Sequence, residues 1–155
     1  MSLRHKVTGL RNNIELLRGR CEQRLLQLSR ENQSLAEAED ALSAQIQGLS
    51  DLLISSQVNN SIMSSEQLKT LLRKQALLRS NIQDLHIQIV QLKTEREALI
   101  KHYSEQQQKK AFFLRKEEAY NRWLFLEKKK VQRCTLFRDE IEQEESSYGK
   151  YFTGQ

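Results

Sequence analysis

Apolar residues recur along the first third of the chain at alternating steps of four and three. The row runs Leu3, Val7, Leu10, Ile14, Leu17, Cys21, Arg24, Leu28, Glu31, Leu35, Ala38, Leu42, Gln45, Leu49, Leu52 and Ser56. Twelve of these sixteen positions are apolar, too many for a loop or a solvated helix. A mean spacing of 3.5 residues is the seam of a left-handed coiled coil. The rhythm fails at "SSQVNNSIMSSEQL", residues 55–68, where Ser and Asn side chains compete for backbone hydrogen bonds and favour turns and caps. Ser64 followed by Gln67 has the spacing of a capping box, which restarts a helix. From Leu68 the rhythm returns through Leu71, Gln75, Leu78, Ile82, Leu85, Ile89, Leu92, Arg96, Leu99 and Tyr103. It continues less regularly through Phe113, Tyr120, Leu124, Val131, Cys134 and Ile141.

The pattern predicts an all-α fold: a long antiparallel two-helix coiled-coil hairpin with the second helix longer than the first. As a single domain over 1–155 it has a first helix at about 3–57, a bend at about 58–64 and a second helix at about 65–146. The tail 147–155, ending in "GKYFTGQ" with two glycines, is expected to fray. At 1.5 Å per residue the arms are roughly 80 Å and 120 Å long. Folding near residue 60 sets Leu3 beside about residue 117, so that everything beyond about residue 120 overhangs. Two registers compete. One pairs Gln45 with Gln75 but sets Arg24 against Arg96. The other, one heptad away, sets Glu31 against Arg96 and leaves Gln45 facing Ile82. The first is preferred because its apex falls on Asn59–Ser61.

Composition sharpens the picture. The 155 residues include no Pro, 38% apolar and 29% charged residues, a mix suited to long helices with a narrow seam rather than a many-layered core. No run of eighteen apolar residues is present, which speaks against membrane insertion, and the N-terminus lacks the apolar stretch of a signal peptide; a cytosolic chain is expected. Cys21 and Cys134 fit no metal spacing or disulfide framework and fall on seam positions, so both are expected to be buried, reduced thiols. His5, His86 and His102 have no His, Cys or Asp partner at helical spacing. No phosphate loop or nucleophile elbow occurs, so neither an enzyme nor a cofactor is expected.

Charge concentrates in one place. From Lys109 to Arg133 there are nine Lys or Arg against three Glu, exceeding the whole-chain net of +5. Phe112, Phe113, Tyr120, Trp123 and Phe125 are interleaved with these cations. Arg, Trp and other aromatic residues dominate interface energetics, so the segment reads as a protein-docking surface. The plainer alternative is a solvated helix whose aromatics close the end of the hairpin. Nucleic acid is the least favoured partner, because Glu117, Glu118 and Glu127 interrupt the patch and "RDEIEQEE" (138–145) follows it. At the bend, Val58, Ile62 and Met63 are apolar residues on a polar tip. They either close the bend or form a small docking site.

Taken together, "LLRKQALLRSNIQDLHIQIVQLKTERE" (71–97) and "FLRKEEAYNRWLFLEKKK" (113–130) resemble the central stalk proteins of type III secretion systems, the SpaM/InvI group, which are similar to the flagellar export stalk and to YscO-type proteins. The resemblance implies a non-catalytic stalk at the cytoplasmic base of an injectisome. The end carrying both termini enters the secretion ATPase hexamer and promotes its assembly or activity; the bent end approaches the cytoplasmic ring of the export gate. On this chain the ATPase-facing residues are Arg115, Lys116, Arg122, Trp123, Phe125, Lys128, Lys129, Lys130 and Arg133. The gate-facing tip is Val58, Asn59, Asn60, Ile62 and Met63. The resemblance also implies association with export chaperones, although no residue set here marks such a site. The competing class is a dimeric coiled-coil adaptor or a nucleic-acid-associated protein.

Overall fold

The computed structural model describes residues 2–57 and 64–153. They form α1 (Leu3–Gln57) and α2 (Ser65–Thr153), packed against each other, and no strand occurs among the described residues. Both helix starts are capped. Ser2 Oγ accepts from the His5 amide at 3.3 Å. At α2 the capping box forms in full: the Gln67 amide donates to Ser64 Oγ at 3.3 Å, and the Ser64 amide donates to Gln67 Oε1 at 3.2 Å. Glu66 in the same first turn complements the helix dipole. At the far end α2 continues through Gly149 to Thr153, beyond the boundary at 146, because a single glycine costs a helix only about 1 kcal/mol.

The hairpin divides into two compact units, Met1–Glu22 with Gln108–Gln155, and Gln23–Gln107. In the second unit, the buried or half-buried row on α1 is Leu25, Leu28, Asn32, Leu35, Glu39, Leu42, Ile46, Leu49, Leu53 and Ser56. On α2 it is Leu71, Gln75, Leu78, Ile82, Leu85, Ile89, Leu92, Arg96, Leu99, Tyr103 and Gln106. In the first unit the rows are Val7, Arg11, Ile14, Arg18 and Cys21 against Lys110, Phe113, Glu117, Tyr120 and Leu124. All keep the alternating steps of four and three.

The α2 row coincides with the expected one from Leu71 to Tyr103. On α1 every second position is shared (Val7, Ile14, Cys21, Leu28, Leu35, Leu42, Leu49, Ser56), but the intervening row is displaced by one residue. Arg11, Arg18, Leu25, Asn32, Glu39, Ile46 and Leu53 stand where Leu10, Leu17, Arg24, Glu31, Ala38, Gln45 and Leu52 were expected; Leu10 and Leu52 are exposed, while Leu17 stays half-buried beside Arg18. The expected row is richer in leucine. In the observed one Arg18, Asn32 and Glu39 find partners across the hairpin, whereas Arg11 reaches only Asn12 on its own helix and its buried Nε has no hydrogen-bond partner.

Those partners also correct the register. Gln75 is buried and its Nε2 donates to Ser56 Oγ at 3.4 Å, so it does not face Gln45. Arg96 faces neither Arg24 nor Glu31. Its Nη1 donates to Glu39 Oε2 at 2.7 Å and its Nε to Asn32 Oδ1 at 3.2 Å, while Lys93 Nζ lies 3.9 Å from Glu39 Oε1. Glu39 keeps only 15% of its side-chain exposure. A guanidinium on a seam requires a carboxylate, and the observed register supplies one. With Gln75 level with Ser56, Ser64–Thr70 at the start of α2 are exposed.

Candidate functional site

In the first unit a chain of alternating charges closes the hairpin. Arg18 grips Glu117 with both edges of its fork, Nε to Oε2 at 2.7 Å and Nη2 to Oε1 at 3.4 Å. Its Nη1 donates to Glu22 Oε1 at 3.1 Å, and Lys110 Nζ lies 3.8 Å from the same oxygen. The hydrogen bond to Glu117, reinforced by that carboxylate's charge, holds the Arg18 pKa above its already high ordinary value. Glu117, which interrupts the basic patch in sequence, is therefore a structural partner of α1.

Around this network the aromatic residues divide. Phe113, Tyr120, Trp123 and Leu124 are half-buried, whereas Phe112 and Phe125 are exposed. Phe112 meets Phe113 with ring centroids 5.8 Å apart and carries Lys116 Nζ at 4.7 Å from its centroid. Phe125 carries Lys129 Nζ at the same distance. Each exposed ring is thus covered by a lysine, a favourable cation–π arrangement. Arg115, Lys116 and Arg122 are exposed beside the packed stretch, and Arg115 Nε donates back to the Ala111 carbonyl at 3.4 Å. Trp123 is turned partly into the hairpin rather than standing free.

Packing ends later than expected. Glu127 is the last half-buried residue; from Lys128 to Gly149 every residue is exposed. The overhang thus begins near 128, not 120, in keeping with the corrected register. It contains Lys128, Lys129, Lys130 and Arg133, so the sequence-designated residues split between packed hairpin and free helix. Cys21 is buried, but Cys134 lies on the overhang and is exposed, which overturns the expectation of two buried thiols. Its heptad position remains apolar, yet α1 does not reach it. The gate-facing residues Val58, Asn59, Asn60, Ile62 and Met63 lie outside the described residues.

Sequence reasoning missed the roles of Glu117, Arg18, Glu39 and Lys110. Their signal was seam phase: each lies on or beside a row that counting apolar residues alone passes over. Among the described residues no constellation for catalysis assembles. His102 Nδ1 lies 3.6 Å from Glu105 on the same exposed helix face. Among the described residues, no group of three or more His, Cys, Asp or Glu could hold a metal, and no helix is long and apolar enough to cross a membrane.

Two long helices packed against each other, the second longer than the first, place the chain among coiled-coil-like helical proteins. Within that class, the chain belongs to the family described as Salmonella surface presentation of antigen gene type M protein, which matches residues 5–147. It is therefore a type III secretion-associated protein of the SpaM/InvI type, from a family of secretion-system components rather than a known enzyme family. No curated protein and no solved structure matches the chain.

Proposed function

We propose that the protein is the non-catalytic central stalk of an injectisome, joining the hexameric secretion ATPase to the export gate at the cytoplasmic base of the apparatus. The observation that carries this reading is the bare continuation of α2 beyond Glu127, with its basic cluster followed by an acidic one. A helix in the pore of a ring meets several subunits at once. Unlike charges at successive levels offer those subunits contacts that can exchange as nucleotide is hydrolysed. Lys128, Lys129, Lys130 and Arg133 make the first ring contacts; Arg115, Lys116, Arg122 and Phe125, beside the packed hairpin, meet the mouth of the ring, and Trp123 stiffens that junction. Val58, Asn59, Asn60, Ile62 and Met63 are the gate-facing residues of this reading, and Leu68 and Leu72, which follow them on α2, are exposed.

The test is titration of the full chain into its cognate secretion ATPase, following hydrolysis and hexamer formation together. Stimulation that is lost on truncation after Glu127, with the helical hairpin intact, supports the reading. Equal stimulation by the truncated chain contradicts it.

A further inference from the structure

The overhang carries a charge order that is unfavourable for a lone helix and complementary to a second copy of itself. Lys128, Lys129, Lys130, Arg133 and Arg138 precede Asp139, Glu140, Glu142, Glu144 and Glu145, five cations followed by five anions with no mixing. A helix dipole favours the opposite order, acids first and bases last. Like charges also meet along the helix at Lys129 and Arg133, and at Glu140 and Glu144, both at i, i+4. Among the described residues, none of these ten side chains makes an ion pair.

An apolar face accompanies the charges. At 100° per residue, Val131, Cys134, Phe137, Ile141 and Tyr148 fall within about 120° of arc, the width of a packing stripe, which also holds Lys130, Arg138 and Glu145. All are exposed, Phe137 at 65%. We propose that this face binds the same segment of a second copy in antiparallel orientation, crossing at Phe137.

One register satisfies both features. With Phe137 set against Phe137 of the second copy, Cys134 meets Ile141 of that copy, and Lys130 meets its Glu144 within the stripe. Arg133 meets Glu140 on the flank. Each contact other than Phe137–Phe137, which lies on the axis, occurs twice, because a two-fold interface is self-complementary. A parallel pairing would instead stack cation on cation and acid on acid. Antiparallel order is therefore the arrangement the charges select. The interface does not depend on the ATPase reading, since it needs only the overhang.

Sedimentation equilibrium of the full chain at low salt, from micromolar to several hundred micromolar, tests it. The expected mass rises from one 18.3 kDa chain to two. Truncation after Glu127 abolishes the rise. Reversing the basic set (Lys130 and Arg133→Glu) weakens self-association at least about tenfold, as does reversing the acidic set (Glu140 and Glu144→Lys). An equimolar mixture of the two variants associates again. Register is read separately: I141C forms an intermolecular disulfide with Cys134 under a mild oxidant, whereas the parent protein does not link Cys134 to Cys134. A parent chain that stays at one mass throughout overturns the proposal. So does a mixture that fails to associate although both variants remain helical by circular dichroism, or a dimer that persists after truncation.

Discussion

Leu28 retains 1% of its exposure, the lowest in the core, while Leu10 and Leu52, which look equally suited to a seam, are exposed. The physical difference is one step of helical phase, about 100° of rotation. Stability measurements should separate them: Leu28→Ala is expected to cost about 2–4 kcal/mol by denaturant unfolding, and Leu10→Ala or Leu52→Ala about 0.5 kcal/mol or less. Glu39 and Arg96 set the register by charge. Reversing Glu39 to Arg leaves two half-buried cations together and should lower stability by roughly 2 kcal/mol or more; adding Arg96→Glu should recover most of it in a double-mutant cycle. For Arg18 the sign of the pH effect is fixed by its raised pKa in the folded state. Its contribution is complete below the unfolded-state value and is lost only as pH rises through the still higher folded value. The stability difference between the parent and Arg18→Ala should therefore stay flat from about pH 7 to pH 10 in thermal melts.

At the level of the helices, the existence of both and the Ser64 capping box were legible, because heptad spacing and cap chemistry are local signals. So was the α2 row from Leu71 to Tyr103, where the apolar residues leave one choice of phase. The α1 phase was less legible. Leu10 and Leu17 are more hydrophobic than Arg11 and Arg18, whereas Leu25 and Ile46 favour the observed row over Arg24 and Gln45, and cross-helix partners such as Glu117 for Arg18 and Arg96 for Glu39 decide the choice. Register follows the same partners, which lie far apart in sequence. It in turn moves the start of the overhang to Lys128 and places Cys134 in solvent. A free helix of some twenty-five residues is marginal in water, whereas packed turns are protected by tertiary contact. Amide hydrogen exchange in the free protein should accordingly be fast over 128–148 and slow around Leu28, Ile89 and Glu117.

For the whole molecule, membership of the type III secretion family directs attention to what the ends of the hairpin bind. The proposed stalk requires two different neighbours at two different ends. The proposed self-pairing uses the ATPase-facing end, so cognate ATPase should return the dimer to single chains bound in the ring, a shift visible by light scattering. The most direct measurement is site-specific photo-crosslinking in the assembled apparatus, with the probe at Lys129 in one strain and at Leu72 in another. Capture of the secretion ATPase from Lys129 and of the export-gate ring from Leu72 is the result this account predicts. Capture of one and the same neighbour from both positions, or of the gate from Lys129, would contradict it.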